Sequence, residues 1–92
     1  MGEYFWHDLI RELLATRAIT QNDIARFLMI DKGYFSRLMR DPERLEAFMD
    51  RYPDLHKKRA LARALNDRKT IQDIRLEGYT GERVASKTTL FL

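Results

Sequence analysis

Lys32, Ser36, Arg37 and Arg40 lie close together along the chain, with Gly33 among them. Such side chains donate to phosphate oxygens and to the acceptors on base edges, and an arginine fork can do so with two parallel bonds. The apolar spacing around them explains why they would face outward. Ile24, Ala25 and Leu28 share one face of a short helix, Ile30 sits in a turn, and Phe35 and Leu38 line the inner face of a second helix. The small Ala25 side chain lets the two helices cross closely at a steep angle. The outer face of the second helix is then left polar.

Other chemistry is poorly supplied. Asp8 and Glu12 are one helical turn apart, but Arg11 stands beside them on a solvated face, which argues against an acid/base pair. No nucleophile sits beside a base and no glycine-rich phosphate loop is present, so no enzymatic activity is expected. His7 and His56 are far apart, and neither has a partner at metal-ligand spacing, so no metal and no cofactor are expected. His7 is expected at the edge of the first helix and His56 in the first turn of its own. The rings of Phe5, Trp6 and Phe48 read as core rather than as a base-stacking platform. The run Lys57-Lys58-Arg59, with Arg63, could meet a phosphate backbone, although a solvated helix face is the plainer reading. For Arg37 the plain alternative is an ion pair with Asp31 or Asp41, which at an exposed site contributes only about 0 to 1 kcal/mol.

Composition sets the outer bounds. The 92 residues suffice for one domain with a modest core. Charged residues make up 34% of the chain, the formal net charge is +3 and the pI is near 9.4, a mild bias toward polyanions. With no cysteine, packing alone must hold the fold, and a cytoplasmic location is expected. No basic leader followed by an apolar run is present, nor any stretch near the roughly 20 apolar residues that span a bilayer, so no membrane partner is expected. Met1-Gly2 is followed at the sixth position by Trp6, where a myristoylation signal has Ser or Thr.

The elements that must position the basic face follow from periodicity and caps. Phe5, Trp6, Leu9, Ile10, Leu13 and Leu14 predict an amphipathic helix from Tyr4 to Arg17. Thr20, with Asp23 three residues on, predicts a capped helix from Gln21 to Leu28, followed by a turn at Met29-Ile30. Asp31 caps a helix from Lys32 to Met39, and Asp41-Pro42 starts another from Glu43 to Asp50. Pro53-Asp54 opens a further helix whose apolar stripe is Leu55, Ala60, Leu61, Ala64 and Leu65, ending near Asn66-Asp67, with Lys57, Lys58, Arg59, Arg63 and Arg68 opposite. A short last helix from Ile71 to Leu76 is expected to be capped by Thr70 and closed by Gly78. The whole is an all-α bundle of about five helices over residues 1–78. The tail, residues 79–92, is irregular or partner-dependent because Thr88 to Leu92 has no room for a partner strand.

On these residues the segment Gln21 to Arg40 resembles the helix-turn-helix of the Cro/C1 repressor family, often called XRE-like regulators, and the resemblance extends from Glu3 to about Leu65. The family's opening Gln, crossing Ala, apolar turn and inner-face positions are matched by Gln21, Ala25, Ile30, Phe35 and Leu38. The chain departs from the family at Met29, where a glycine with left-handed backbone is common, and the steric cost of methionine there predicts a reshaped turn. The resemblance implies a recognition helix beginning at Lys32 in the major groove, with Gln21 anchoring its partner helix to a phosphate. By position Lys32, Gly33, Ser36 and Arg37 would face bases, favouring a guanine-containing half-site. It also implies that Arg40 meets a phosphate and that Tyr34 bonds the backbone or stacks on a sugar. Gly33 would permit close approach to the DNA.

A weaker resemblance, through Tyr34-Phe-Ser-Arg-Leu, Pro42-Glu43 and the apolar helix after them, is to the DNA-binding region of ParB and KorB partition proteins. The function implied is a sequence-specific double-stranded DNA-binding regulator, a repressor of phage, plasmid or mobile-element type. It would bind a near-palindromic operator as a homodimer, through Glu43 to Leu65 or Thr88 to Leu92, with no small-molecule ligand. The alternative is a helix-turn-helix scaffold used to bind protein, as an inhibitor, antitoxin or anti-repressor, with Trp6, Tyr34 or Phe91 as anchors.

Overall fold

The computed structural model describes residues 4–76, so Gly78 and the tail from Tyr79 to Leu92 lie outside the described residues. Five helices follow in order: α1 (Phe5–Ala15), α2 (Gln21–Leu28), α3 (Lys32–Arg40), α4 (Pro42–Arg51) and α5 (Leu55–Ala64). A sixth, α6, covers residues 68–76. The described chain is all-α, with no strand. None of its helices is long and apolar enough to cross a membrane. α1 packs on α4 and α5, α2 on α3, and α3 on α4, around a core in which Ile10, Leu13, Ile24, Phe35, Leu38 and Leu45 are fully buried.

Local chemistry explains most of the boundaries. The Thr20 hydroxyl accepts from the Asp23 amide at 3.1 Å while the Asp23 carboxylate accepts from the Thr20 amide at 3.0 Å, a reciprocal capping box. Arg75 of α6 reaches the same carboxylate at 3.5 Å and so fastens α6 to the start of α2. α1 stops at Ala15, short of the expected Arg17, because the Thr16 hydroxyl donates to the Leu13 carbonyl at 2.6 Å and accepts the Ala18 amide at 3.2 Å. α6 starts earlier than the expected Ile71. Its cap is Asp67, whose carboxylate accepts from the Lys69 amide at 3.0 Å and from the Thr70 hydroxyl at 2.8 Å, so Thr70 supports the cap rather than supplying it. The Thr70 hydroxyl, helped by the neighbouring amides and Arg63, holds the Asp67 carboxyl below the usual carboxylate range.

Three expected faces are corrected. Phe5 is 54% exposed, at the margin of α1 with its ring edge-on to Trp6, while Trp6 and Phe48 pack against the core. His7 is buried rather than at an edge. Its backbone amide donates to the Glu46 carboxylate of α4 at 2.8 Å, and its Nε2 donates to the Met39 carbonyl of α3 at 2.9 Å. On α5 the inward positions are Lys57, Ala60, Leu61 and Ala64, spaced i, i+3, i+4 and i+7, which turns Leu55 outward to 59% exposure and brings Lys57 in.

The turn between α2 and α3 keeps a left-handed backbone in spite of its methionine: Met29 has φ 63° and ψ 41°. The expected reshaping does not occur, because the arrangement satisfies every carbonyl at the end of α2. The Met29 amide donates to the Arg26 carbonyl and the Ile30 amide to the Ala25 carbonyl, both at 3.0 Å, in a Schellman pattern. Lys57 Nζ takes the Phe27 carbonyl at 2.7 Å and the Tyr52 hydroxyl takes the Leu28 carbonyl at 2.8 Å, so no acceptor is left orphaned. The Met29 side chain points to solvent, 81% exposed. Left-handed backbone costs a residue with a Cβ about 1 to 2 kcal/mol, and glycine returns part of that as unfolded-chain entropy. Met29→Gly is therefore expected to raise stability by about 1 kcal/mol in chemical denaturation; a loss would show that the methionine side chain stabilises the turn.

Tyr52→Phe tests the same cap from the other side. Losing the bond to Leu28 is expected to lower stability by about 1 kcal/mol, since a buried carbonyl loses its donor. Burial, reinforced by nearby Asp54, raises the Tyr52 pKa above its ordinary 10.0. The stabilisation is complete below pH 10 and is lost as pH rises through the higher folded value, because the phenolate has no proton to donate. Denaturation midpoints from pH 8 to 11 check both points, and the phenylalanine variant should lack this component of the alkaline decline.

Candidate nucleic-acid interface

α3 is built so that its two sides have different fates. Asp31 stands at its N-cap, and one carboxylate oxygen accepts the Gly33 amide at 2.8 Å and the Tyr34 amide at 3.2 Å. Phe35 and Leu38 are wholly buried against α2 and α4. Lys32, Gly33, Arg37 and Arg40 are exposed, and Ser36 is half-buried at the flank. Ala25, at 1% exposure, brings α2 and α3 together without a bulky side chain between them. The helix runs one residue beyond the expected Met39, to Arg40.

The two acids that flank α3, Asp31 and Asp41, each make contacts other than with Arg37. The Asp31 carboxylate holds amides of α3. The Asp41 carboxylate accepts the Arg44 amide at 3.3 Å and lies 3.8 Å from Arg44 Nε. Among the described residues Arg37 makes no ion pair with either, and it is exposed. Gly33 also has a reason internal to the fold: a Cβ there would come within 3.0 Å of the Asp31 oxygen that caps the helix. Close approach to DNA is thus not needed to explain the glycine.

The site residues expected from sequence fall into three places. Lys32, Gly33 and Arg37 occupy the open outward face. Gln21, Ser36 and Arg40 meet in a cleft of about 670 Å³ between α1, the start of α2 and one flank of α3. Tyr34 is on the opposite flank, where its ring stands 6.0 Å from Phe48 in an edge arrangement. There it borders a depression of about 240 Å³ with Arg44, Arg51, Tyr52 and Pro53. Lys57, part of the basic run on α5, is committed to the Phe27 carbonyl and sits 5.2 Å over the Phe27 ring, while Arg59 and Arg63 are exposed and Lys58 is half-buried.

Arg11 joins the cleft from α1, although the sequence reading leaves it on a solvated face. The signal was present in the spacing: His7, Arg11 and Leu14 stand at i, i+4 and i+7 and form one stripe beside the buried face. Among the described residues no group of three His, Cys, Asp or Glu could hold a metal ion. Comparison of the chain with protein-family models, with curated proteins and with solved structures gives no match.

Proposed function

We propose that the chain is a sequence-specific double-stranded DNA-binding regulator, acting in the cytoplasm as a repressor of phage, plasmid or mobile-element type. The observation that carries this reading is the division of α3: Phe35 and Leu38 are sealed in the core while Lys32, Arg37 and Arg40 are exposed and make no ion pair among the described residues. Such a face suits the major groove, where arginine and lysine donate to guanine O6 and N7. The α2–turn–α3 unit, held rigid at Met29 by Tyr52 and Lys57, supplies the positioning that base readout requires. One motif of this size makes few base contacts, so two copies on half-sites about 34 to 36 Å apart are the working form. The Glu43 to Leu65 surface, with Leu55 exposed, is a candidate for joining them; the other candidate, Thr88 to Leu92, lies outside the described residues.

Selection of bound duplexes from a random pool tests the proposal. A recovered consensus with two related halves one helical turn apart is the expected result, and a pool that never departs from random would reject it. A protein-binding role, as inhibitor, antitoxin or anti-repressor, is favoured by one observation, the aromatic depression formed by Tyr34, Phe48 and Tyr52. Of its other anchors, Trp6 is half-buried and Phe91 lies outside the described residues. Salt separates the two readings, since duplex affinity must fall steeply as ionic strength rises while an apolar protein contact is far less affected.

A further inference from the structure

The cleft beside α3 draws polar side chains from three helices. Arg11 comes from α1, Gln21 from α2, and Ser36 and Arg40 from α3, over a floor that includes Leu14 and Met39. None of its lining side chains is a carboxylate. The ring of His7 is already committed to the Met39 carbonyl. Arg11 is exposed and, among the described residues, makes no ion pair with Asp8 or Glu12 on its own helix. Two guanidiniums, a carboxamide and a hydroxyl around one hollow make a receptor for an anion with several oxygens.

The position of the cleft narrows the choice of anion. Ser36 and Arg40 lie on the flank of α3 away from Tyr34, directly beside the outward Gly33 face. A helix lying in a major groove about 12 Å wide has a phosphodiester strand along each side. We infer that this cleft seats a backbone phosphate of one DNA strand, and that Arg11 carries α1 into the interface as a phosphate-binding residue. The inference rests on the DNA-binding reading above and adds to it a contact from outside the α2–α3 unit.

The test is duplex binding by fluorescence anisotropy over a salt series, with the unmutated chain, Arg11→Ala and Arg11→Lys. Loss of one phosphate contact lowers the slope of log affinity against log salt by about 0.9 and weakens binding about tenfold near 50 mM salt, a gap that closes as salt rises. Arg11→Lys should keep the slope, and base preference should be unchanged in both variants. Duplexes carrying a neutral methylphosphonate at single positions should reveal one position that weakens the unmutated chain but not Arg11→Ala. An unchanged slope in Arg11→Ala, with the unmutated chain binding normally, overturns the assignment while leaving the DNA-binding reading intact. If orthophosphate binds the unmutated chain but not Arg11→Ala in the absence of DNA, while the duplex salt slope is the same for both, the cleft takes free phosphate and the backbone assignment fails. Failure of the unmutated chain to bind any duplex removes the DNA-binding reading and this inference with it.

Discussion

Phe35→Ala is expected to destabilise the protein by about 3 to 5 kcal/mol, the cost of removing a fully buried ring and leaving a cavity behind. Phe35 is 0% exposed at the point where α3 meets α2 and α4, so its ring is enclosed by packed helices. A chain of this size has a total stability of only about 5 to 14 kcal/mol, so a large share of it rests on one side chain. The melting temperature should fall by about 12 °C or more, read by circular dichroism. Tyr34, its neighbour in sequence, provides the contrast: it is 38% exposed and its ring forms a T-shaped pair with Phe48 on that flank. Tyr34→Ala should cost about 1 kcal/mol. A reversed order would mean that α3 turns a different face to the core, and the outward placement of Lys32 and Arg37 would fall with it.

What could be read in the sequence was local, and what could not depended on a distant partner. Thr20 with Asp23, Asp31 before Gly33, and Asp41 before Pro42 each satisfy amides two or three residues away, so their helix starts follow from spacing alone. His7 looks like an edge residue until α3 and α4 bring the Met39 carbonyl and the Glu46 carboxylate to it. Lys57 looks like one more solvated cation until the Phe27 carbonyl lies 2.7 Å from it, across thirty residues of chain. Met29 is the clearest case. Its side chain argues against left-handed backbone, and only the combined hold of Ile30, Tyr52 and Lys57 on the end of α2 offsets that preference. The α3 face was legible because burial of Phe35 and Leu38 forces its neighbours outward, whereas the contribution of Arg11 required knowing which flank of α1 borders α3.

The same division of α3 predicts the largest effect on binding. Lys32 and Arg37 are exposed and project from the outward side, so replacing both with alanine should leave thermal stability nearly unchanged, within about 0.5 kcal/mol for each surface site. Binding should respond very differently. Each well-formed contact to a base edge contributes about 1 to 3 kcal/mol of discrimination. Lys32→Ala combined with Arg37→Ala should therefore weaken binding to the selected duplex by at least about thirtyfold relative to a scrambled one. Single variants should relax preference at different positions of the half-site, because the two side chains leave α3 more than one turn apart. Phosphate contacts behave otherwise, weakening all duplexes alike and lowering the salt slope. The pattern of loss thus distinguishes groups that read the sequence from groups that only hold the strand. If the double variant retains both affinity and preference, recognition does not pass through α3, and the exposed aromatic flank around Tyr34 becomes the surface to explain.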